Sequence, residues 1–364
     1  MAILTRGLAE RIERANAGMY PGYFALVMAT GIVSTALFLE GVRVVSQLLL
    51  WINLAAYPVL IAATARRGVR YGAKLWADLS NPQTVFTFFT FVAASDVLGV
   101  QLFLRGYRAP ALGLWLVALI AWLFLGYFSF GVLVFTNTRS ATEVLNASWL
   151  IAVVGTQSIA VLGALLAPDF GPYAQPVFMA VYGLWGIGIA LYGIFITLIA
   201  YRLFFARLDP GEMLPPYWII LGATAISALA GTNLVAAAPQ MPFLAATRPL
   251  LMGVTLLLWA WSSWWIPMLA LFGLWRHGVH KVPLTYHPAY WSLVFPLGMY
   301  TVATYRLAAV LHLPALKSIP AVMVWVALLA WGLTALGLIR SFARGLGQGM
   351  QIGGCALVTG QTKG

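Results

Sequence analysis

Long apolar stretches separated by short polar segments run along the whole chain. Nine stretches carry no Lys, Arg, Asp or Glu, and a tenth, residues 286–311, carries only Arg306. A helix needs roughly 20 apolar residues to cross a bilayer, and the alternating pattern of a membrane barrel is absent. The pattern predicts an all-α integral membrane protein with ten transmembrane helices. The nine uncharged stretches are residues 15–39, 44–65, 79–95, 111–138, 144–168, 170–201, 213–247, 249–275 and 318–339.

The odd-numbered spans begin alike. Residues 21–24 (PGYF), 215–218 (PPYW) and 288–291 (PAYW) each place two aromatic residues two and three positions after a proline, while 146–149 (NASW) and 80–82 (SNP) keep part of the motif. Proline suits the first helical turn, and aromatic residues suit the membrane interface. Successive starts lie about 61 to 73 residues apart, so the chain is interpreted as five helix hairpins.

Small and hydroxyl-bearing residues are concentrated in the odd spans, whereas the even spans are bulkier, as in LLLWAWSSWWIPMLALF of the eighth. Small residues allow close approach of helix backbones, and bulky apolar residues face lipid well. This contrast predicts an inner ring of five odd helices inside an outer ring of even ones. The residues predicted to line a pore through the inner ring are Thr30, Gly31, Ser34, Gln157, Thr224 and Ser227.

Composition and charge agree with a membrane protein. Of the 364 residues, 62% are hydrophobic and 8% charged, against roughly 25% charged in soluble domains. The net charge of +12 could indicate a nucleic-acid partner, but 15 basic residues fall on one set of loops and 5 on the other. This distribution follows the positive-inside rule for ten helices with both termini cytoplasmic, in a cytoplasmic membrane. The single Cys355 excludes an internal disulfide and a cysteine-based metal site.

The ends of the chain are expected to lie outside the membrane. Residues 1–17 form a predicted cytoplasmic segment, 18–342 the membrane domain and 343–364 a flexible, glycine-rich cytoplasmic tail. The first segment lacks the apolar core of a signal peptide. Leu4, Leu8 and Ile12 recur every four residues, which fits either a short interfacial helix or a disordered leader.

Asp96 and Arg306 are the two charges set deep in predicted spans. Charged residues are costly in lipid and normally face a partner or a cavity. Asp96 lies 15 residues after Asn81 and Arg306 lies 16 after Tyr290, so both are expected at similar depth, close enough to pair or to share an aqueous vestibule. A pair would be mainly structural, whereas an unpaired arginine would be an anion site.

With VMATGIVS in the first span, LPPYWIILGATAISALAG in the seventh and AYWSLVFPLG in the ninth, the chain resembles the tellurite-resistance/dicarboxylate transporter family over about residues 18–342. That family includes bacterial tellurite-resistance proteins, fungal malate permeases and sulfite pumps, and plant slow anion channels. The resemblance implies a quasi-fivefold ring of hairpins around a central pore, usually as a homotrimer. Ala29 departs from the MGTGI run of the fungal members.

The ninth span carries the candidate gate, because Pro296 interrupts its middle between Phe295 and Gly298. The resemblance matches Phe295 to the phenylalanine that plugs the pore of the channel members. An aromatic ring beside a kink can rotate about its side-chain torsions and exclude water from a constriction. The alternative is that Phe295 is an ordinary core residue.

These features predict transport of small inorganic or organic anions without ATP. The helix dipoles at the shared starts would favour anions. The alternatives are a proton-coupled carrier of C4-dicarboxylate, sulfite or tellurite, with Asp96 as the coupling carboxylate, and, remotely, an intramembrane enzyme. No cofactor, metal site or catalytic residue is predicted, since the chain has no Walker-type phosphate loop and no nucleophile beside a base.

Overall fold

The computed structural model describes residues 13–206, 209, 211 and 215–358, without the side chains of 141, 142 and 344–358. The helix predicted around Leu4, Leu8 and Ile12 lies outside these residues. Regular structure in the described part is entirely helical, with ten principal helices. They are α1 Ala25–Leu39, α2 Arg43–Arg70, α3 Phe89–Phe103, α4 Arg108–Gly131, α5 Ile151–Leu166, α6 Ala174–Phe205, α7 Ile219–Ala237, α8 Pro242–Gly273, α9 Trp291–Val310 and α10 Ser318–Val358.

Eight helical segments of the described chain are long and apolar enough to cross a membrane, so the protein is a multi-pass membrane protein. One of these segments, Ala147–Phe205, contains both α5 and α6. The two helices are separated at Gly171, whose φ of 54° and ψ of −116° are not helical and favour glycine. The apolar α1 has 15 residues and is shorter than the eight.

A single turn of tighter 3₁₀ helix precedes four of the odd helices. The side chains of Asn146 and His287 accept hydrogen bonds from the backbone N–H groups of Ser148 and Ala289, at 2.9 and 3.1 Å. These caps satisfy donors that a helix start otherwise leaves unpaired. The shared sequence motif therefore corresponds to a shared local structure. The four turns are Val85–Phe88, Ala147–Leu150, Pro215–Trp218 and Pro288–Tyr290.

The odd helices are buried and the even helices are exposed. In the most apolar part of the segment containing α7, 94% of the residues are buried, against 22% for the segment containing α8. The same contrast separates the segments of α3 and α4, at 83% and 22%. The exposed side chains of the even helices are mainly apolar, as lipid contact requires.

Contacts among the odd helices form a closed cycle. Helix α1 packs against α3, α3 against α5, α5 against α7, α7 against α9, and α9 against α1. Each even helix packs on the odd helix before it in the chain and also touches the odd helix that follows, with α10 touching α1. The same pattern of helix contacts therefore recurs five times among the described helices.

Aromatic side chains attach each even helix to the odd helix that follows it. In every case the polar tip of a Tyr or Trp forms a hydrogen bond with a hydroxyl or a backbone carbonyl, which satisfies that tip inside an apolar interface. The bonds are Tyr57 Oη with Ser95 Oγ (2.7 Å), Trp115 Nε1 to Ile159 O (3.0 Å), Trp185 Nε1 to Ser227 O (3.0 Å), Trp259 Nε1 to Thr304 Oγ1 (3.0 Å) and Trp331 Nε1 to Thr30 Oγ1 (2.9 Å).

Candidate functional site

Two small cavities lie where all five odd helices meet. The first, of about 10 Å³, is lined by residues including Met28, Ser292 and Phe295. The second, of about 20 Å³, is lined by residues including Asp96, Ser158 and Met299. Every odd helix contributes at least one residue to each cavity. The line through them is here called the axis.

The axial residues follow one spacing from the shared helix starts. Counted from Pro288, they lie four, seven, eleven and fourteen residues on, and the same offsets hold from Pro21 and Ala147. Spacings of three and four keep these residues on one face of a helix. Aligning the repeats at their starts would have revealed this face from the sequence. In these three helices the axial residues are Ala25, Met28, Ile32 and Thr35 in α1, Ile151, Val154, Ser158 and Val161 in α5, and Ser292, Phe295, Met299 and Val302 in α9.

Phe295 fills a space that α7 leaves open. Seven residues after Pro215, the offset that Phe295 has from Pro288, α7 carries Gly222. A Cβ atom at Gly222 would lie 2.9 Å from Cγ of Pro296 and 3.4 Å from Cδ1 of Phe295. The phenyl ring is 1% exposed. The phenyl ring and the ring of Pro296 are therefore accommodated by a glycine on the neighbouring helix α7.

Gly298, the third residue of the candidate gate, has a different role from Phe295 and Pro296. A Cβ atom there would lie 2.8 Å from Cγ2 of Ile32 and 3.4 Å from the backbone nitrogen of Val33. Glycine thus allows α9 to approach the backbone of α1 closely. Neither Gly298 nor Pro296 is among the described residues that line the two cavities.

Asp96 projects to the second cavity, one turn beyond Phe295. Its side chain is fully buried, and Oδ2 accepts a hydrogen bond from Ser158 Oγ at 2.7 Å. Its Oδ1 has no hydrogen-bond partner among the described residues. Phe295 and Met299 are four residues apart in α9, about 6 Å along the axis. The carboxyl group thus lies about one helical turn beyond the aromatic ring along this line.

Asp96 and Arg306 do not form the ion pair that was one of the two predicted arrangements. Arg306 Nη2 donates to Asn233 Oδ1 at 3.2 Å, and within the described chain Asp96 forms no ion pair. Helix α3 starts later than the Ser80-Asn81-Pro82 motif indicates, so Asp96 lies level with Met299. Arg306 lies seven residues beyond Met299, about 10 Å further along the axis.

The six residues predicted to line a pore are placed against neighbouring helices instead. Neither axial cavity includes them among its described lining residues. Hydroxyl and small side chains are favoured at helix–helix contacts in membranes because they hydrogen-bond and allow close packing, and this use accounts for the difference. Thr30 accepts from Trp331, Gly31 lies against Val97 and Asn53, Ser34 donates to the carbonyl of Ser46, Gln157 donates to the carbonyl of Trp185, Thr224 accepts from Ser262, and the carbonyl of Ser227 accepts from Trp185.

A vestibule of about 940 Å³ opens at the end of the molecule where the odd helices begin. Its charged lining residues are Arg139, Arg202 and Glu143. Partial burial lowers the pKa of His287, so this ring is neutral near pH 7 and suited to its capping role. The start of every odd helix contributes to the lining, through Tyr20, Gln83, Asn146, Tyr217 and His287 among others.

Positive charges outnumber negative ones around the vestibule. The N-terminal ends of five helices converge there, each equivalent to about half a positive charge, and two arginines face one glutamate in the lining. Side chains cap some of the first-turn N–H groups. Those helix starts therefore act on an anion through their field more than through free donors.

A buried cycle of helices, an axial row of cavities and an electropositive mouth define a membrane transport protein for anions. Residues 18–339 match the voltage-dependent anion channel (SLAC1) family, and the chain belongs to that family. The match confirms the family resemblance inferred from the sequence.

Individual relatives agree with this assignment. An uncharacterised transporter of Methanocaldococcus jannaschii is 26% identical over 89% of this chain and 94% of its own length. An uncharacterised membrane protein of Mycobacterium tuberculosis strain H37Rv is 41% identical over 42% of this chain and 77% of its own length. A sulfite efflux pump of Trichophyton rubrum is 22% identical over 82% of this chain and 84% of its own length.

Proposed function

We propose that this protein conducts small anions across the cytoplasmic membrane along the axis of its five odd helices, with Phe295 as the gate. The observation that carries the proposal is the pair of axial cavities to which every odd helix contributes. Each has room for about one water molecule or less, so the path is narrow and closed in this conformation. No ATP is required, because the electrochemical gradient of the anion drives movement through an open path.

Ten membrane-spanning helices in a quasi-fivefold ring would give this path its walls. The closed cycle of contacts among the odd helices supports the ring, and so does the repetition of aromatic hydrogen bonds from each even helix to the next odd one. Ten spans place both termini on one side, and the distribution of basic residues makes that side cytoplasmic. The homotrimer remains a prediction from the family resemblance.

The vestibule supports selection of anions over cations. With ten spans it opens to the cytoplasm, where helix ends and arginines raise the local anion concentration. The axial side chains beyond it are mainly apolar. An anion must therefore shed most of its water to pass, which favours weakly hydrated ions such as nitrate.

The gate proposal rests on the fit between Phe295 and Gly222. The ring occupies the level at which α1 and α5 place Met28 and Val154, and its partner on α7 is a glycine. Rotation of one ring would then change the width of the path more than movement of any other axial side chain at this level. Pro296 leaves one backbone carbonyl of α9 without its helical partner, which permits local bending.

A coupled carrier is the second candidate function. It is favoured by the relatives named as transporters and as a sulfite efflux pump, and by the presence of Asp96 on the axis. Sulfite, C4-dicarboxylates and tellurite are candidate substrates of such a carrier. In that case the gate would close behind a bound anion, and transport would depend on an imposed proton gradient.

Flux into proteoliposomes tests both candidates. We expect the wild-type protein to pass nitrate and chloride, but not potassium, down their gradients without a proton gradient, at rates above protein-free vesicles. Sulfite and malate are measured in parallel, with and without a proton gradient. Flux that requires the gradient for every anion would establish the carrier instead, and equal potassium flux would contradict anion selection.

Thr224 can test whether the hydroxyl groups that were predicted to line the pore instead form hydrogen bonds between helices. Ser262 Oγ donates to Thr224 Oγ1 at 2.6 Å. A double-mutant cycle of Thr224→Val and Ser262→Ala should give a coupling of about 0.6 kcal/mol, the average for hydrogen bonds inside a membrane. The nitrate-to-chloride permeability ratio should be unchanged in both variants. A shifted ratio in Thr224→Val would return this hydroxyl to the path.

A further inference from the structure

Asp96 is a buried carboxyl group on the axis with one oxygen unused. Its Oδ2 is occupied by Ser158, whereas Oδ1 has no hydrogen-bond partner among the described residues. The residue lines the cavity of about 20 Å³, together with Thr35 and apolar side chains. A cavity of this size holds about one water molecule. Once it is protonated, the unpartnered oxygen can donate a hydrogen bond into the cavity. The oxygen and the cavity together can therefore bind a small hydrogen-bond acceptor.

The surroundings of Asp96 supply no compensating charge. Helices α1 and α5, which pack against α3, contain no titratable side chain within their ranges. Helix α4 contributes Arg108 and Tyr127 near its two ends, and the basic residues of α2 also lie towards its ends. Tyr57 of α2 is near, but its hydroxyl is hydrogen-bonded to Ser95. A carboxylate here would be isolated, which is costly in an apolar interior.

We infer that Asp96 and Ser158 form an anion-binding site that works only while Asp96 carries a proton. The inference rests on the proposed axial path. A proton on Oδ1 lets the carboxyl group donate a hydrogen bond to an anion in the cavity, and the Ser158 hydroxyl can turn from Oδ2 to donate a second. When Asp96 is ionised, its charge repels the anion from the second cavity. The proton stays on the carboxyl group as the anion passes, so protons regulate flux and are not carried with it.

The test compares the pH dependence of nitrate flux in wild-type protein and in Asp96→Asn, with pH equal on both sides of the vesicles. Wild-type flux should rise severalfold as the pH is lowered from alkaline to acidic values, since protonation removes a buried repulsive charge. The amide of the Asp96→Asn variant cannot ionise, so this variant should show the high flux at every pH. Asp169→Asn is the matched control. Asp169 lies in the connection between α5 and α6 and pairs with Arg108 of α4. Its replacement should leave the wild-type pH dependence intact.

An unchanged pH slope in Asp96→Asn, or flux below wild type at every pH in a folded variant, would overturn the inference. A second measurement does not depend on flux. At alkaline pH, adding nitrate to solubilised wild-type protein should cause proton uptake, followed with a pH-indicator dye, and absence of uptake would overturn the inference. Ser158→Ala should weaken this uptake if Asp96→Asn does not fold. Absence of flux above protein-free vesicles in both wild type and Phe295→Ala would instead contradict the proposed function.

Discussion

Replacing Phe295 by alanine should raise passive nitrate flux roughly tenfold or more, which corresponds to lowering the barrier by about 1.4 kcal/mol. The ring is 1% exposed, lines the first axial cavity and lies against Gly222. The ring packs against this glycine of the neighbouring helix α7 at the level of the first cavity. Removal of the ring should therefore join the first axial cavity to the second, which lies beside Asp96. Water can then enter a constriction that the phenyl ring keeps dry.

The controls separate a gate from a general loss of packing. Phe178 is buried in α6, away from the axis, and Phe178→Ala removes the same ring without widening the path. Its flux should equal that of the wild type. Phe295→Leu, which keeps most of the volume, should give an intermediate flux. If Phe295→Ala and Phe178→Ala behave alike in folded protein, Phe295 is a core residue and the gate lies elsewhere.

Replacing Trp331 by alanine should lower the unfolding free energy by roughly 3 kcal/mol, the lower end for truncating a packed aromatic side chain. Trp331 in α10 donates to Thr30 in α1 at 2.9 Å, a contact between residues 301 positions apart. Of the five hydrogen bonds by which a Tyr or Trp joins an even helix to an odd helix, this one joins the last helix to the first. Its loss removes that hydrogen bond and leaves a gap between the two helices where the cycle of hairpins closes.

Trp325 supplies the matched control in the same helix. Its side chain is 53% exposed on the apolar outer surface, so Trp325→Ala should change the unfolding free energy by less than about 0.5 kcal/mol. Denaturant titration in mixed micelles measures both variants. Trp331→Phe, which keeps the ring and loses the donor, should cost less than Trp331→Ala. Equal effects at Trp331 and Trp325 would show that this contact does not hold α10 to α1.

Much of the local structure could be predicted from repeated sequence motifs. The proline and aromatic residues at 215–218 and 288–291 mark helix starts. Proline has a backbone angle that suits the first helical turn, and aromatic side chains prefer the membrane interface, and both effects act locally. The large apolar side chains of the even spans likewise predicted exposed helices. Contact with lipid favours such side chains regardless of which helix packs on the other side. The same starts also fixed which face of α1, α5 and α9 meets the axis, although composition alone pointed to other residues.

Thr30 and Asp96 show what the sequence left open. A hydroxyl in a membrane helix can face a water-filled path or a neighbouring helix, and composition is the same in both cases. Only the position of Trp331, far away in the chain, decides that Thr30 serves a helix contact. For Asp96 the difficulty was register. Residues 80–84 lie before the turn at Val85–Phe88 and add no helical rise, which shifts Asp96 away from the depth of Arg306.

The sequence by itself therefore determined the membrane class, most of the helix starts and the division into buried and exposed helices, because these depend on local propensity and on the solvent. The tertiary structure decided which side chains meet on the axis, how Phe295 fits against Gly222, and that Asp96 is bonded to Ser158 and not to Arg306. These depend on the relative depth and rotation of helices that are distant in the chain. Helix depth and rotation are set by packing across interfaces, which no single stretch of sequence contains.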